Sequence, residues 1–282
     1  MTRKIIIKRI AYSIISIVAL AVVIIYAWST LIIDKTYNLP LAEIQIPSDS
    51  ASITEGKRLM QIAHCSDCHG EHLTGTVFAK IDHVGVIIAP NLTKVIPTYS
   101  NAELERVIRH GVKKNGHSVY IMPAFMYYQM KTESIGKIIA YLRTLHSEPD
   151  TLKGAKTNFE FLGRLALIQK KFIPIANIVE HNSPKKYDHF DTTQVSFGKY
   201  LAMTSCTSCH GQDLKGVEGL GPNLIIADAY KKEDFFNLIR TGVALGGRKL
   251  DLMTKVTTNN LCHLNDHEID CIYAYLKTKP TK

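Results

Sequence analysis

Two five-residue clusters carry the chemistry of this chain: Cys65-Ser66-Asp67-Cys68-His69 and Cys206-Thr207-Ser208-Cys209-His210, both reading C-x-x-C-H. Two thiols one helical turn apart can add to the two vinyl groups of a single haem. The adjacent histidine is then carried beneath the iron as its proximal ligand. Other uses of the pattern fit less well. A thioredoxin-like pair needs a βαβ context that the sequence lacks, and zinc needs two such pairs converging on one ion.

The surroundings of the clusters repeat. The first cysteines lie 141 positions apart, and the match runs through His-Gly to Leu73/Leu214 and Gly75/Gly216. Pro90-Asn91-Leu92 pairs with Pro222-Asn223-Leu224 at an offset of 132, so the intervening loop is longer in the first copy. Arg109/Arg240, Gly111/Gly242, Gly116/Gly247 and Met122/Met253 follow at 131. Ala140-Tyr141-Leu142 pairs with Ala274-Tyr275-Leu276 at 134. The chain is an internal duplication, with domains at residues 52–146 and 193–282.

The elements that must position these residues repeat as well. Ser52 and Glu55, at S-x-x-E spacing, predict the start of an opening helix that runs into Cys65. Its counterpart covers about 193–205. A second helix opens on the capping box Ser100-Asn101-Ala102-Glu103 and ends before Gly111, suited to a left-handed C-terminal position. Its partner spans roughly 231–240 and ends before Gly242. A closing helix starts after Thr132 in the first copy, and at Asn265, with Glu268 three residues on, in the second. No alternating β-branched run interrupts either copy, so the predicted fold class is all-α.

Composition sets the frame. A chain of 282 residues with 46% hydrophobic and 21% charged side chains is globular, large enough for two cores, and not a disordered segment. Six cysteines are too few for a disulfide-stapled scaffold of this length. The net charge of +9 suggests a nucleic-acid binder until it is divided along the chain. Arg3, Lys4, Lys8 and Arg9 supply four charges; residues 34–146 carry 12 basic and 10 acidic side chains, 147–190 carry 7 and 5, and 191–282 carry 11 and 10. The domains are close to neutral, which argues against a phosphate-backbone footprint.

From Ile10 to Ile33 there are 24 residues without a charge, behind that basic cluster. At about 1.5 Å per residue such a helix crosses a hydrocarbon core of about 30 Å. Residues 1–33 therefore read as a cytoplasmic basic tip and a single-pass anchor in the bacterial inner membrane, with the rest of the chain on the periplasmic side. Tyr26 and Trp28 fall near the outer end, where amphipathic rings favour the interface. A cleaved signal peptide, with Ala27-Trp28-Ser29 as a small-x-small site, is the competing reading. Its apolar region would run only about 7–15 residues, which favours a retained anchor. Residues 34–51, with Pro40 and Pro47, read as a tether that lets the first domain move over the membrane.

Residues 147–192, the linker, mix Pro149, Pro174 and Pro184 with an apolar patch from Phe159 to Ile168 interrupted by Lys170 and Lys171. The patch is too short to span a membrane. It packs as a helix between the domains or lies along the lipid interface, packing being the simpler expectation. Cys262 and Cys271 could bridge the last loop to the closing helix, or stay free. His64, His72, His83, His110, His117, His146, His181, His189 and His267 have no repeated counterpart and default to surface or packing positions.

Over residues 52–146 and 193–278, through C-x-x-C-H, the Pro-Asn-Leu loop, the methionine loop and the Ala-Tyr-Leu closing helix, the chain resembles the class I cytochromes c. Its layout resembles membrane-anchored dihaem cytochromes c of bacterial respiratory chains. It is also similar to the cytochrome subunits of membrane-bound alcohol and sugar-acid dehydrogenases, which usually carry three haems. The resemblance implies two covalently bound haem c groups, attached through Cys65, Cys68, Cys206 and Cys209 with His69 and His210 on the irons. It also implies that Pro90 and Pro222 offer their carbonyls to the proximal histidines, fixing ring orientation. Arg109 and Arg240 could pair with haem propionates or simply solvate a helix face.

The sixth ligand decides what such an iron can do, because an open position permits substrate chemistry and a filled one leaves electron exchange. Ile121-Met122-Pro123-Ala124-Phe125 resembles the family's distal loop and makes Met122 the ligand in the first copy; the plain alternative is gap-filling core. In the second copy Met253 aligns, but Thr254 stands where proline would stiffen the loop, and His263, ten residues on, is a rival ligand. The expected function is a membrane-tethered electron carrier between a quinol-oxidising complex or dehydrogenase and a terminal oxidase. The alternatives are a fixed cytochrome subunit of a dehydrogenase, or a haem enzyme acting on peroxide or a small sulfur compound. No glycine fingerprint supports intrinsic dehydrogenase activity.

Overall fold

The computed structural model describes residues 3–183, 187–188 and 193–278; Pro184 and His189 lie outside the described residues. Helix α1 (Arg3–Ile33) projects from the body with its apolar side chains exposed. Among the described residues it is the one helix long and apolar enough to cross a membrane. The first domain follows as α2 (Ser50–Ile62), α3 (Cys65–His69), β1 (Thr76–Ile81), β2 (Gly85–Ala89), α4 (Leu92–Val95), α5 (Asn101–His110), α6 (Ala124–Tyr127) and α7 (Thr132–Arg143). The linker forms β3 (Asn158–Phe159) and α8 (Phe161–Ile168). The second domain is α9 (Gln194–Ser205), α10 (Thr207–His210), α11 (Lys232–Thr241), the two-residue strands β4 (Val243–Ala244) and β5 (Arg248–Lys249), α12 (Asp251–Asn259) and α13 (Asp266–Lys277).

In both domains the opening helix crosses the closing helix, α2 on α7 and α9 on α13, and their apolar faces make the core. The crossings are close because glycine stands at each. A Cβ on Gly56 would run into the Lys137 carbonyl, and one on Gly198 into the Cys271 carbonyl. The capping box of Ser100 with Glu103 and that of Asn265 with Glu268 both form, and Gly111 and Gly242 end their helices at φ 67° and 72°. The opening helix starts three residues earlier than its S-x-x-E signal. Asp49, not Ser52, is the cap, accepting from the Ser52 amide at 2.9 Å, while Glu55 turns to Arg58.

The fold is helical, with a β insertion in the first copy that the sequence pattern hid. The longer loop of the first copy is an antiparallel hairpin, β1–β2, with β3 of the linker added to its edge. Its strands bury no continuous face, so they lack the apolar-polar alternation that marks a half-buried strand.

Neither connecting segment is slack. Residues 34–49 lie along the first domain: the Tyr37 amide donates to the Gly116 carbonyl, and Ile44 and Ile46 join the core around Met60 and Ile139. The linker wraps the same domain instead of spacing the two copies. Tyr120 meets Phe159 edge-on and stacks on Phe172, Ile175 and Val179 pack with Ala124 and Tyr128, and the Tyr128 hydroxyl donates to the carbonyl of Ser183 at 2.6 Å. Cys262 and Cys271 are separate free thiols, the first donating to the Thr258 carbonyl and the second lying 3.6 Å from His267 Nε2.

Candidate haem sites

The clusters fall where a strand-free helical turn delivers them. Cys65, Cys68 and His69 occupy α3; Cys206 caps α10, which carries Cys209 and His210. The next residues fold identically in both copies. The Gly75 amide donates to the His69 carbonyl and the Gly216 amide to the His210 carbonyl, each at 2.8 Å. The Leu92 and Leu224 amides donate to the carbonyls of Leu73 and Leu214, and both of those leucines are buried. Gly75 and Gly216 adopt φ 87° and 98°, and a Cβ on either would lie 2.7 Å from the Asn91 or Asn223 amide nitrogen. Asn91 and Asn223 cap the turns that follow by accepting from Thr93 and Ile225.

This packing sets the proline carbonyls against the histidine rings. His69 Nδ1 donates to the Pro90 carbonyl at 2.9 Å, and His210 Nδ1 donates to the Pro222 carbonyl at 2.7 Å. A carbonyl can only accept, so each Nδ1 holds the proton and each Nε2 keeps its lone pair for an iron. Burial lowers the pKa of both rings, against the smaller opposing effect of the carbonyl, which keeps them neutral and able to ligate. Three of the cluster thiols are the reverse of redox-active ones. Burial pushes Cys65 and Cys206 up to about 12 and Cys68 up to about 11, whereas disulfide exchange needs a depressed value. Donor set and tautomer both fit a covalently held haem.

The two methionines sit in different settings. Met122 lies on the loop before α6, half-buried against the first core, and the linker supports that loop from outside through Tyr120 and Ala124. Met253 lies in the first turn of α12, half-buried against the second core. The missing proline is replaced by hydrogen bonds: Thr254 Oγ1 donates to the Gly242 carbonyl at 2.7 Å and accepts from the Leu250 amide at 2.8 Å. His263 sits in a short 3-10 turn whose carbonyl accepts from Arg58 at 3.0 Å, and the nearby positive charges of Arg58 and Lys57 add to desolvation in lowering its pKa. That turn faces the other domain.

Arg109 and Arg240 both make contacts within their own domains. Arg109 is fully buried, paired with Glu105 at 3.0 Å and donating to the carbonyls of Tyr128 and Met130. Arg240 donates to the carbonyls of Cys262 and Leu264 and to Asp266. Each therefore clamps the segment between the methionine and the closing helix.

The domains meet about a pseudo-twofold, the reciprocal pattern of an isologous contact. Arg58 of α2 reaches the start of α13, donating to both Glu268 oxygens at 2.7 and 2.9 Å. Tyr200 of α9 reaches the start of α7, its hydroxyl 3.4 Å from the Lys131 amide and 3.5 Å from Ser134 Oγ. Between these contacts the segments leading into the clusters meet: His64 Nε2 donates to the Ser205 carbonyl at 3.0 Å, and Asn260 Nδ2 donates to both Asp67 oxygens at 2.9 and 3.0 Å. Sequence reasoning missed His64 because it has no counterpart in the second copy.

A chain that twice builds a neutral, carbonyl-held histidine beside a C-x-x-C turn within a helical core is a tandem cytochrome c. It carries two cytochrome c-type domains in tandem, in the arrangement of a class I dihaem cytochrome c. Residues 51–142 match the family described as cytochrome c oxidase, cbb3-type, subunit III, and residues 195–279 match the family described as cytochrome c. The chain is 27% identical, over 82% of its length, to the fructose dehydrogenase cytochrome subunit of Gluconobacter japonicus. It is 22% identical over 83% to the cytochrome c subunit of the alcohol dehydrogenase (quinone) of Gluconacetobacter polyoxogenes. Against the gluconate 2-dehydrogenase cytochrome c subunit of Pantoea cypripedii it is 23% identical over 83%. The chain spans 53%, 57% and 61% of the length of these three relatives.

Proposed function

We propose that this chain is the dihaem cytochrome subunit of a membrane-bound dehydrogenase, anchored by α1 with its haem domains in the periplasm. It takes electrons from a flavin- or quinone-bearing partner and relays them through two haems toward the respiratory chain. The free carrier expected from the sequence is the second reading; three relatives whose names place them in dehydrogenases favour the first. The haem supplies one-electron Fe(III)/Fe(II) chemistry. The chain supplies attachment at Cys65, Cys68, Cys206 and Cys209, proximal ligation by His69 and His210 oriented by Pro90 and Pro222, and distal ligation by Met122 and Met253.

The observation that supports relay over catalysis is the bond between His64 and Ser205, the residues directly before the two C-x-x-C-H clusters. His263 is the weaker candidate for the second iron because its turn lies against Arg58 of the other domain.

Isolation of the haem-loaded chain in mild detergent tests the reading. A dehydrogenase subunit should co-purify, and its substrate should reduce haem c in the complex. Recovery of the cytochrome alone, reduced instead by a quinol-oxidising complex, would return the free-carrier reading. Met122→Ala and Met253→Ala should each abolish one methionine–iron signature and lower one midpoint potential. Ready binding of carbon monoxide or cyanide by the unaltered protein would point to an open iron and an enzyme.

A further inference from the structure

Helix α8 is fastened to the last two turns of α1. Arg164 Nη1 donates to Ser29 Oγ at 2.9 Å and to Thr30 Oγ1 at 3.0 Å, with its guanidinium 4.7 Å over the Tyr26 ring. Ser29 is fully buried by this contact, inside a helix whose apolar residues are mostly exposed. The other end of α8 is stitched to the hairpin turn. The Glu160 amide donates to the Val84 carbonyl and the Leu162 amide to the His83 carbonyl, each at 2.9 Å, and Gly163 packs against the same turn without room for a side chain. The hairpin and α8 are thus one unit, and α1 fixes its height.

That height can be read from α1. The uncharged run ends at Ile33, so Ser29 lies about 6 Å inside its outer end. A run of 24 residues is about 36 Å long against a hydrocarbon core of about 30 Å, which puts Tyr26 to Thr30 at the outer lipid boundary. The unit bound there presents large apolar side chains to its surroundings: Phe161 is 37% exposed, Leu162 47% and Ile81, at the hairpin end, 58%. Lys170 and Lys171 follow α8 and are exposed. Single exposed apolar residues are ordinary. Here three of them share the one unit held at the membrane boundary, and among the described residues the second copy has neither this hairpin nor a helix equivalent to α8.

We propose that α8 and the β1–β2 turn form a foot that enters the phospholipid surface beside α1, with Phe161, Leu162 and Ile81 at the headgroup–acyl boundary and Lys170 and Lys171 among the phosphates. The proposal rests on the reading of α1 as a membrane-spanning helix. It makes the first haem domain a body seated on the bilayer, rather than one swinging on a tether.

The test uses the full haem-loaded chain in phosphatidylcholine–phosphatidylglycerol vesicles containing a phospholipid with a diazirine high on its acyl chain. After illumination, lipid adducts are mapped by mass spectrometry. Adducts are expected on the peptide holding Phe161–Ile168 as well as on α1. Phe161→Asp with Leu162→Asp should lose the α8 adducts and leave those on α1 intact. Adducts on α1 with none on α8 or the hairpin in the unaltered protein would overturn the foot and leave the anchor standing, as when a protein partner covers this face. Absence of adducts on α1 itself would instead overturn the anchor reading.

Discussion

His64 and Ser205 stand at equivalent places in the duplication, each directly before the first cysteine of its cluster, and they bond to one another across the domain boundary at 3.0 Å. The first copy has one more residue than the second between its crossing glycine and its cluster: Gly56 to Cys65 is nine positions, Gly198 to Cys206 is eight. The extra residue is absorbed at His64, which breaks the helix by adopting φ 62°, whereas α9 runs on into Cys206 at φ −107°. A left-handed non-glycine residue is held by its surroundings. Here the Ser205 carbonyl and Asp67, 3.3 Å from Nδ1, do so.

His64→Gly should therefore be milder than His64→Ala, since glycine takes the left-handed conformation freely and alanine does not. A difference of about 1 kcal/mol in denaturant unfolding is expected. Equal stability of the two variants would show that the backbone there carries no strain.

Arg58 and Glu268 are the charged clasp of the junction, with side-chain exposures of 27% and 7%. Arg58→Ala leaves a nearly buried carboxylate without its partner, at a cost of about 3 kcal/mol. Electron transfer between the haems, followed after flash photoreduction of one of them, should slow as the clusters separate. Unchanged inter-haem kinetics would detach the relay from this interface.

Gly75→Ala and Gly216→Ala each place a Cβ against a backbone amide at a positive φ. Each should destabilise its own domain by about 2–4 kcal/mol and halve the haem content of the purified protein. Full haem loading in either variant would show that the turn can shift without moving the histidine.

Thr254 tests whether a side-chain hydroxyl can replace a proline. Thr254→Val removes the bonds to the Gly242 carbonyl and the Leu250 amide, costing about 1–2 kcal/mol. The methionine signature of the second haem should then fade at lower denaturant concentration than that of the first, and Thr254→Ser should restore it.

The junction should also respond to acid. Hydrogen bonding from Arg58 holds the Glu55 carboxyl below its ordinary value, against the smaller opposing effect of burial. A depressed folded pKa contributes stability that is complete above the unfolded value of about 4.3 and lost as pH falls through the folded one. Melting temperature should be insensitive to Glu55→Gln in acid below both values and lower in the variant at neutral pH. Curves that keep the same separation at every pH would remove Glu55 from the linkage.

What the amino-acid sequence determined by itself was local or repeated. The C-x-x-C-H clusters, the capping boxes at Ser100 and Asn265 and the glycines ending α5 and α11 depend on neighbours a few positions away, and duplication doubled the clusters and the glycines. The tertiary structure decided whatever joins distant residues: the pseudo-twofold contact of Arg58 with Glu268, the inward turn of Arg109, the wrapping of residues 147–183 on the first domain, and the clasp of Arg164 on α1. None of these has a period or a motif, because contacts between residues that are not chain neighbours are specified only by the surfaces that packing brings together. His64 marks the division: in the sequence it is one unmatched histidine, and in the fold it is one of the residues that join the two halves.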